Sequence, residues 1–323
     1  MEPRTPTALT EELMTRRWLL PALSLTLGLA VAPAAATAAE PARVKDRIDL
    51  PTGWQPEGVT VHGRKLYVGS LADGRIIKAD VRSGRTRVLP ESATGTPAVG
   101  VDYDERRDVV WVAGGPSGEI RAQSPKTGEV LATYRLPKAK SRFVNDLVVT
   151  GKAVYATDSQ NQELGVVRLD GDALPRGQRA ETMPLVGDIE YVEGFNANGI
   201  VKSGKWLVLV QSNTGTLFRV NKATGRSRAI DAGGYEFTNG DGLEPDGRRL
   251  FVVRNRDNMV VTVKLRDQRR VAKVVAEQTS DDFDVPTTVA LRRGSLFAVN
   301  ARFGNPAPET ADYWVTRLDA DGS

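Results

Sequence analysis

The 323-residue chain contains no cysteine and a single histidine, His62. Without cysteine there can be no disulfide bonds, thiolate-bound zinc, iron–sulfur centres or thiol nucleophiles. One histidine cannot form a multi-histidine metal site, and any Ser-His-Asp mechanism would require His62 itself. His62 is predicted to be a packed or surface residue, because strand alternation sends it to the opposite face from Glu57, five residues earlier. The commonest cysteine and histidine chemistries are therefore excluded.

The charge balance is nearly even, with 44 Lys and Arg against 40 Asp and Glu. The densest basic groups, Arg248-Arg249 and residues 266–273, are short. They indicate solvated strand edges rather than a groove that follows a phosphate backbone, so no nucleic-acid partner is expected. The hydrophobic fraction of 40% and charged fraction of 26% are typical of a globular protein.

The N-terminus has the pattern of an export signal. Arg16-Arg17 precede an apolar run over residues 18–32, which is followed by small residues. This pattern predicts a signal peptide over residues 1–38, cleaved before Ala39, with Met14 as an alternative start. The apolar run is too short and too interrupted by Gly and Pro for a stable membrane span. We therefore expect an exported protein, extracellular or in the cell envelope, with the export route (general or twin-arginine) left open.

From residue 50 onward, short β-branched runs alternate with Gly, Asp and Asn turns, which predicts an antiparallel all-β protein. Six segments share one form, a small or polar pair followed by an apolar residue, at intervals of 42, 46, 53, 43 and 46 residues. The segments begin at Glu57, Val99, Asn145, Asn198, Asp241 and Thr287. A period of 40–50 residues that holds about four strands is typical of a β-propeller blade.

The repeat predicts a six-bladed β-propeller as a single domain over residues 39–323. The last blade lacks an outer strand, and Arg43–Leu50 is predicted to supply it, because an open ring would leave a sheet edge unpaired. The alternative is an all-β sandwich array in which the spacing is a coincidence.

Equivalent positions of a propeller's innermost strands converge on the central channel. Four of the six repeat starts carry a carboxylate or amide oxygen: Glu57, Asn145, Asn198 and Asp241. Such oxygens suit a divalent cation, Ca²⁺ best, with Mg²⁺, Mn²⁺ or Zn²⁺ as alternatives. The competing interpretation is that polar residues and water simply cap the channel mouth.

These motifs resemble those of the senescence-marker-protein/gluconolactonase-like propellers. Glu57-Gly58, Asn198-Gly199 and Asp241-Gly242 look like the family's ligands for one divalent metal, and Asn145-Asp146 looks like a pair that contacts substrate. The resemblance implies lactone hydrolysis with Asp241 as general base. The family's substrate-binding arginine would lie two residues before Asn145, where this chain has Phe143; Arg142, one residue further back, is the nearest candidate.

Two functions from different classes follow. The first is a secreted, metal-dependent hydrolase of a small lactone or ester. The second is a non-catalytic propeller that binds a ligand or protein at its mouth and uses Ca²⁺ only to hold the blades. Asn239 and Arg302 are further candidates for the rim. The substrate and the oligomeric state are left open.

Overall fold

Residues 44–322, which the computed structural model describes, contain 25 β-strands in six sheets. The innermost strand of each sheet contacts the innermost strands of both neighbouring sheets, so that the six strands form a closed ring around a channel. The predicted six-bladed β-propeller is therefore confirmed. The predicted signal peptide, residues 1–38, lies outside the described residues.

The first three blades each contain four antiparallel strands in chain order from the channel outward. Blade 1 is β2 (Pro56–His62), β3 (Lys65–Ser70), β4 (Ile76–Asp80) and β5 (Thr86–Val88). Blade 2 is β6 (Val101–Asp104), β7 (Val109–Ala113), β8 (Glu119–Gln123) and β9 (Val130–Arg135). Blade 3 is β10 (Val144–Val149), β11 (Ala153–Asp158), β12 (Glu163–Arg168) and β13 (Glu181–Pro184).

The remaining blades follow the same plan with two additions at their edges. Blade 4 is β15 (Ala197–Ser203), β16 (Trp206–Gln211), β17 (Thr216–Asn221) and β18 (Arg226–Ala229), with the short β14 (Val186–Gly187) parallel to β18. Blade 5 is β19 (Gly240–Asp246), β20 (Arg249–Arg254), β21 (Met259–Arg266) and β22 (Val271–Thr279). Blade 6 is β23 (Pro286–Arg292), β24 (Ser295–Asn300), β25 (Tyr313–Asp319) and β1 (Arg47–Leu50).

Helix is confined to two single 3₁₀ turns in the described part of the chain, Asn255–Asp257 and Asp267–Arg269. Within residues 44–322 no helix has the length and apolarity needed to cross a membrane.

The ring is closed by the strand that precedes blade 1 in sequence. β1 pairs antiparallel with β25, with Ile48 opposite Val315 and Leu50 opposite Tyr313. Ile48 is buried in a core cluster that joins blade 6 to blade 1. The predicted closure is confirmed, although the strand begins at Arg47 rather than at residue 43.

The core lies between adjacent blades. The second strands, such as β7 and β11, are covered on both faces and are buried along their whole length. Their sequences are accordingly nearly continuous apolar runs, whereas the outer strand β22 alternates. Large side chains such as Trp111 and Tyr134 fill the space between blades 2 and 3. Each such burial contributes about 1.5–3 kcal/mol.

The repeat start coincides with a β-bulge. In blade 1, Pro56 pairs with Ser70 and Val59 with Val68, so that Glu57 and Gly58 together face one residue, Gly69. The same irregularity occurs at the same repeat position in β10, β15, β19 and β23. A bulge bends its strand and redirects a side chain. The small or polar pair seen in the sequence is therefore the pair of bulged residues.

The second bulge residue is glycine where neighbouring inner strands approach most closely. A Cβ on Gly58 would lie 2.3 Å from the Val99 carbonyl oxygen, and one on Gly199 would lie 2.2 Å from that of Asp241. Only glycine lets two backbones come so close.

Side chains three residues after the repeat start connect blades across the channel wall. Each of three such side chains accepts a hydrogen bond from a backbone N–H of the next inner strand. The bonds are Tyr103 N to Thr60 Oγ1 (3.3 Å), Val149 N to Asp102 Oδ2 (2.8 Å) and Leu291 N to Glu244 Oε1 (3.0 Å). Burial raises the pKa of Asp102 to about 7 and that of Glu244 to about 8.

We predict that Gly100→Ala lowers the free energy of unfolding by about 1–3 kcal/mol, the usual cost of overpacking. The added Cβ would lie 2.6 Å from the Cα of Asp146 in the next blade. Gly151→Ala is the matched control, because a Cβ there meets nothing within 4 Å. Equilibrium unfolding in guanidinium chloride measures both variants, and equal midpoints would contradict the close-approach explanation.

We predict that Glu244→Gln makes the protein less sensitive to alkaline pH. Because burial raises the pKa of Glu244 to about 8, the folded state prefers the protonated form. The stability that depends on this proton is complete below the unfolded pKa of about 4.3 and is lost as the pH rises through about 8. Glutamine keeps the acceptor for Leu291 N and has no proton to lose.

The measurement is the melting temperature of both proteins between pH 5 and pH 9. The melting temperature of Glu244→Gln relative to that of wild type should increase from pH 5 to about pH 8 and then level off. Glu236→Gln, at an exposed position, should run parallel to wild type, and a constant difference between Glu244→Gln and wild type would disprove the prediction.

Candidate functional site

A cavity of about 310 Å³ lies at the end of the channel where the inner strands begin; we call it the site cavity. All four residues predicted to bind a metal line it: Glu57, Asn145, Asn198 and Asp241. None of the four is more than 7% exposed. The structure thus brings together four side chains that are distant in sequence, each from the bulge of a different inner strand.

Three of the four side chains are held by a residue that lies 14 positions later, just after the second strand of the same blade. The bonds are Asn145 Nδ2 to Ser159 Oγ (2.9 Å), Asn198 Nδ2 to Ser212 Oγ (3.2 Å) and Asn255 Nδ2 to Asp241 Oδ2 (2.5 Å). Sequence reasoning missed these partners. Extending the repeat to its fourteenth position would have revealed them, because Ser159, Ser212 and Asn255 are polar there.

The hydrogen-bond directions determine how both asparagines are oriented. Ser159 Oγ donates its only hydrogen to Ala197 O (2.7 Å), and Ser212 Oγ donates to Gly240 O. A hydroxyl that has already donated can only accept, so each serine requires the Nδ2 of its asparagine. The Oδ1 of each asparagine is thereby turned away from the serine. Asn198 Oδ1 is buried and has no hydrogen-bond partner among the described residues.

Asp241 is oriented by the same logic. Asn255 Oδ1 accepts a hydrogen bond from Arg256 N (2.6 Å), so its Nδ2 must be the group that donates to Asp241 Oδ2. The Asn198 amide also donates a hydrogen bond to the Asp241 carboxylate, which lowers the pKa of Asp241. Burial raises the pKa of Asp241 to about 7, and the hydrogen bond from Asn255 opposes this increase.

Glu57 differs from the other three because Leu71 occupies the fourteenth position of its blade. Within residues 44–322 its carboxylate accepts no hydrogen bond and forms no ion pair. Burial raises the pKa of Glu57 well above its usual value, and the nearby carboxylates of Asp241 and Asp146 raise it further. A buried carboxylate without a partner is costly unless a cation or a proton compensates it.

The floor of the site cavity is therefore built from two carboxylate and two amide side chains. Two carboxylates and two amide oxygens are the kind of ligand set that hard divalent cations prefer. Within residues 44–322 no three His, Asp or Glu side chains form a metal-binding group, so the amide oxygens would have to complete the set. The unpartnered Glu57 carboxylate and Asn198 Oδ1 show that the residues present fit such a cation.

Asp146 lies elsewhere in the channel. It lines a second cavity, of about 290 Å³, together with Asp102 and Glu244. Its carboxylate accepts hydrogen bonds from Leu147 N (2.8 Å) and from Ile200 N (3.1 Å) in the next blade. The structure therefore places it as a connection between blades, on the far side of Asn145.

Arg142 is engaged within its own blade. Its guanidinium lies 2.7 Å from Asp158 and 2.9 Å from Glu163, and only 8% of its side chain is exposed. It does not line the site cavity, whereas the next residue, Phe143, does.

Of the other three residues considered from the sequence, one lines the site cavity and two do not. Asn239 lines the site cavity with φ of 61°, a left-handed conformation that asparagine tolerates. Arg302 forms an ion pair with Asp284 at 2.6 Å. His62 stacks on Tyr103 with 4.2 Å between ring centroids and does not line the site cavity.

Neither a protein-family model nor a curated protein matches the chain. Solved structures do match. The Malassezia sympodialis allergen Mala s 1 is 15% identical, with a TM-score of 0.65 over 86% of this chain and 97% of the allergen.

Two further solved structures have a similar architecture. A luciferin-regenerating enzyme is 12% identical, with a TM-score of 0.59 over 84% of this chain and 92% of that one. A Bacteroides uniformis protein provisionally named 6-phosphogluconolactonase is 15% identical, with a TM-score of 0.55 over 81% and 80%. At these identities the matches show the fold alone.

Proposed function

We propose that this protein is an exported hydrolase of a small lactone or ester that depends on a divalent cation. The observation that carries the proposal is the floor of the site cavity, where a buried Glu57 carboxylate and Asn198 Oδ1 have no partners within residues 44–322. Export rests on the signal-peptide pattern of residues 1–38.

Glu57, Asn145, Asn198 and Asp241 would hold the cation, with Ca²⁺ as the best match to two carboxylates and two amide oxygens. When bound, a divalent cation polarises a carbonyl oxygen and lowers the pKa of a neighbouring water. Ser159 and Ser212 contribute by orienting the two asparagines before any ligand binds, because each accepts a hydrogen bond from an Nδ2.

Asp241 is the proposed general base. Hydrogen bonds from Asn255 and Asn198 hold its carboxylate, which would accept a proton from the attacking water. Water then adds across the acyl C–O bond and yields a carboxylic acid and an alcohol, with no further reactant. Glu57 is less suited to this role, because no hydrogen bond from residues 44–322 positions its carboxylate.

The names of two similar structures, the luciferin-regenerating enzyme and the provisional 6-phosphogluconolactonase, support an enzymatic function on this fold. A non-catalytic binding module with a structural Ca²⁺ is the second candidate. It is favoured by the positions of Arg142 and Asp146, since neither residue lines the site cavity.

We predict that Ca²⁺ and the Glu57→Gln substitution change stability in opposite ways. In chelator at pH 8, Glu57→Gln should melt at a higher temperature than wild type, because it removes an unpaired buried charge. With added Ca²⁺ the wild type should gain stability, about 2.7 kcal/mol at 100 times the dissociation constant, while the variant gains much less.

Glu129→Gln, at an exposed position on blade 2, is the charge-matched control and should respond to Ca²⁺ as wild type does. Differential scanning calorimetry and direct titration with Ca²⁺, Mg²⁺, Mn²⁺ and Zn²⁺ measure the effect. If the wild type binds none of these cations, or if Glu57→Gln binds them equally well, the metal site is wrong.

We predict that Asp241→Asn lowers turnover of a lactone by about 10²–10⁴, the usual effect of losing a general base. The assay must be run at saturating metal with occupancy measured separately, because Asp241 is also a proposed ligand. His62→Ala should leave turnover nearly unchanged. Full activity in Asp241→Asn, or loss of activity in His62→Ala, would refute the mechanism.

A further inference from the structure

The walls of the site cavity are chemically unlike its floor. Besides the four floor residues and the polar Ser212, Asn239, Asn255 and Arg256, the site cavity is lined by the apolar residues Leu71, Val99, Phe143, Phe195 and Phe303. The rings of Phe143 and Phe195 meet edge to face, with 5.2 Å between centroids and an interplanar angle of 84°. Leucine, valine and phenylalanine side chains offer no hydrogen bonds, so this part of the lining presents an apolar and largely aromatic surface to a ligand.

Phe195 is held at the rim although 48% of it is exposed. The loop that carries it is tied by Asn196, whose side chain bonds both Val192 N (2.9 Å) and Val192 O (2.8 Å). Asn213 Nδ2 adds a bond to Glu193 O (3.0 Å). An exposed aromatic ring on a braced loop is a surface preorganised for an apolar partner.

One cation lines the site cavity, Arg256. Arg254 and Arg302, nearby in the fold, are ion-paired at 2.9 Å and 2.6 Å, whereas Arg256 forms no ion pair within residues 44–322. Its Nη1 donates to Phe303 O (3.1 Å), which anchors the guanidinium and leaves its other donors unused. Such a group can pair with a carboxylate through two parallel hydrogen bonds.

We infer that the site takes a lactone or ester with an aryl or alkyl body and an acidic group, and not a polyhydroxylated sugar lactone. For the reaction, this inference rests on the proposed function. For the class of ligand, it rests on the apolar side chains that line the site cavity. An apolar body gains by leaving water against Phe143, Phe195 and Phe303. A polyol against these three rings would lose hydrogen bonds to water that the rings cannot replace.

Open-chain acids, which contain no lactone or ester bond to hydrolyse, test the ligand class in the absence of turnover. The probes are 3-(2-hydroxyphenyl)propanoate, its neutral amide and gluconate, titrated calorimetrically into the full protein with and without Ca²⁺. The aryl acid should bind at least about tenfold tighter than gluconate. Phe195→Ala should weaken the aryl acid and its amide about tenfold and leave gluconate unchanged, whereas Arg256→Gln should weaken the aryl acid and not the amide.

Two controls match these variants in side-chain type and exposure. Val275→Ala removes an exposed apolar side chain from the outer strand of blade 5, and Arg226→Gln removes an exposed arginine from β18. Both should bind all three probes as wild type does.

The inference is overturned if gluconate binds as tightly as the aryl acid, if Phe195→Ala has no effect, or if no probe binds. Dihydrocoumarin and glucono-1,5-lactone, assayed in parallel, separate it from the proposed reaction. Phe195-dependent binding of the aryl acid without hydrolysis of either lactone would keep the ligand class and remove the hydrolase. Hydrolysis of gluconolactone that is unaffected by Phe195→Ala would keep the proposed hydrolase and remove the proposed ligand class.

Discussion

The close approach of the inner strands is the constraint on which the site depends. Where a Cβ on Gly58 or Gly199 would lie within 2.3 Å of a neighbouring carbonyl oxygen, no other residue fits. A bulge at the same position turns the preceding side chain, Glu57 or Asn198, toward the channel end. The glycines of the Glu-Gly, Asn-Gly and Asp-Gly motifs are therefore required by packing. The same packing brings the polar side chain that precedes each glycine to a common place at the channel end.

The directions of the hydrogen bonds determine how the two asparagine amides are oriented in the site. Because Ser159 and Ser212 donate to carbonyl oxygens of the following blade, they must accept from Asn145 and Asn198. The amide oxygens are consequently oriented by contacts between blades rather than by a ligand. Two buried carboxylates at this floor are unfavourable in the absence of a positive charge or a proton. The same bonds that hold the blades together thus also fix the orientation of the two asparagines at the floor.

Much of this arrangement could be predicted from sequence because it repeats. The six blades, the closing strand and the convergence of Glu57 and Asp241 all follow from features that recur in phase. The positions of Arg142 and Asp146 did not follow, because they depend on individual partners: Asp158 and Glu163 for the first, and the Ile200 N–H for the second. Asp158 and Glu163 have no equivalents in the other repeats. Ile200 does belong to the repeat, but its contact with Asp146 is made by a backbone N–H, which a pattern of side chains does not reveal. The apolar walls were missed for the same reason, since loops such as that of Phe195 differ from blade to blade.

The walls and the floor influence each other. Apolar side chains such as Phe143 and Phe195 reduce the water that can screen charges at the floor, and electrostatic interactions strengthen as the effective dielectric constant falls. This raises the cost of ionising Glu57 and Asp241 together, and it equally strengthens their attraction for a divalent cation. In the proposed function, walls of low polarity would favour both a bound cation at the floor and a ligand with an apolar body. Cation affinity and ligand choice would then be two consequences of one arrangement, in which the repeated blade geometry sets the floor and loops that differ between blades set the aromatic part of the walls.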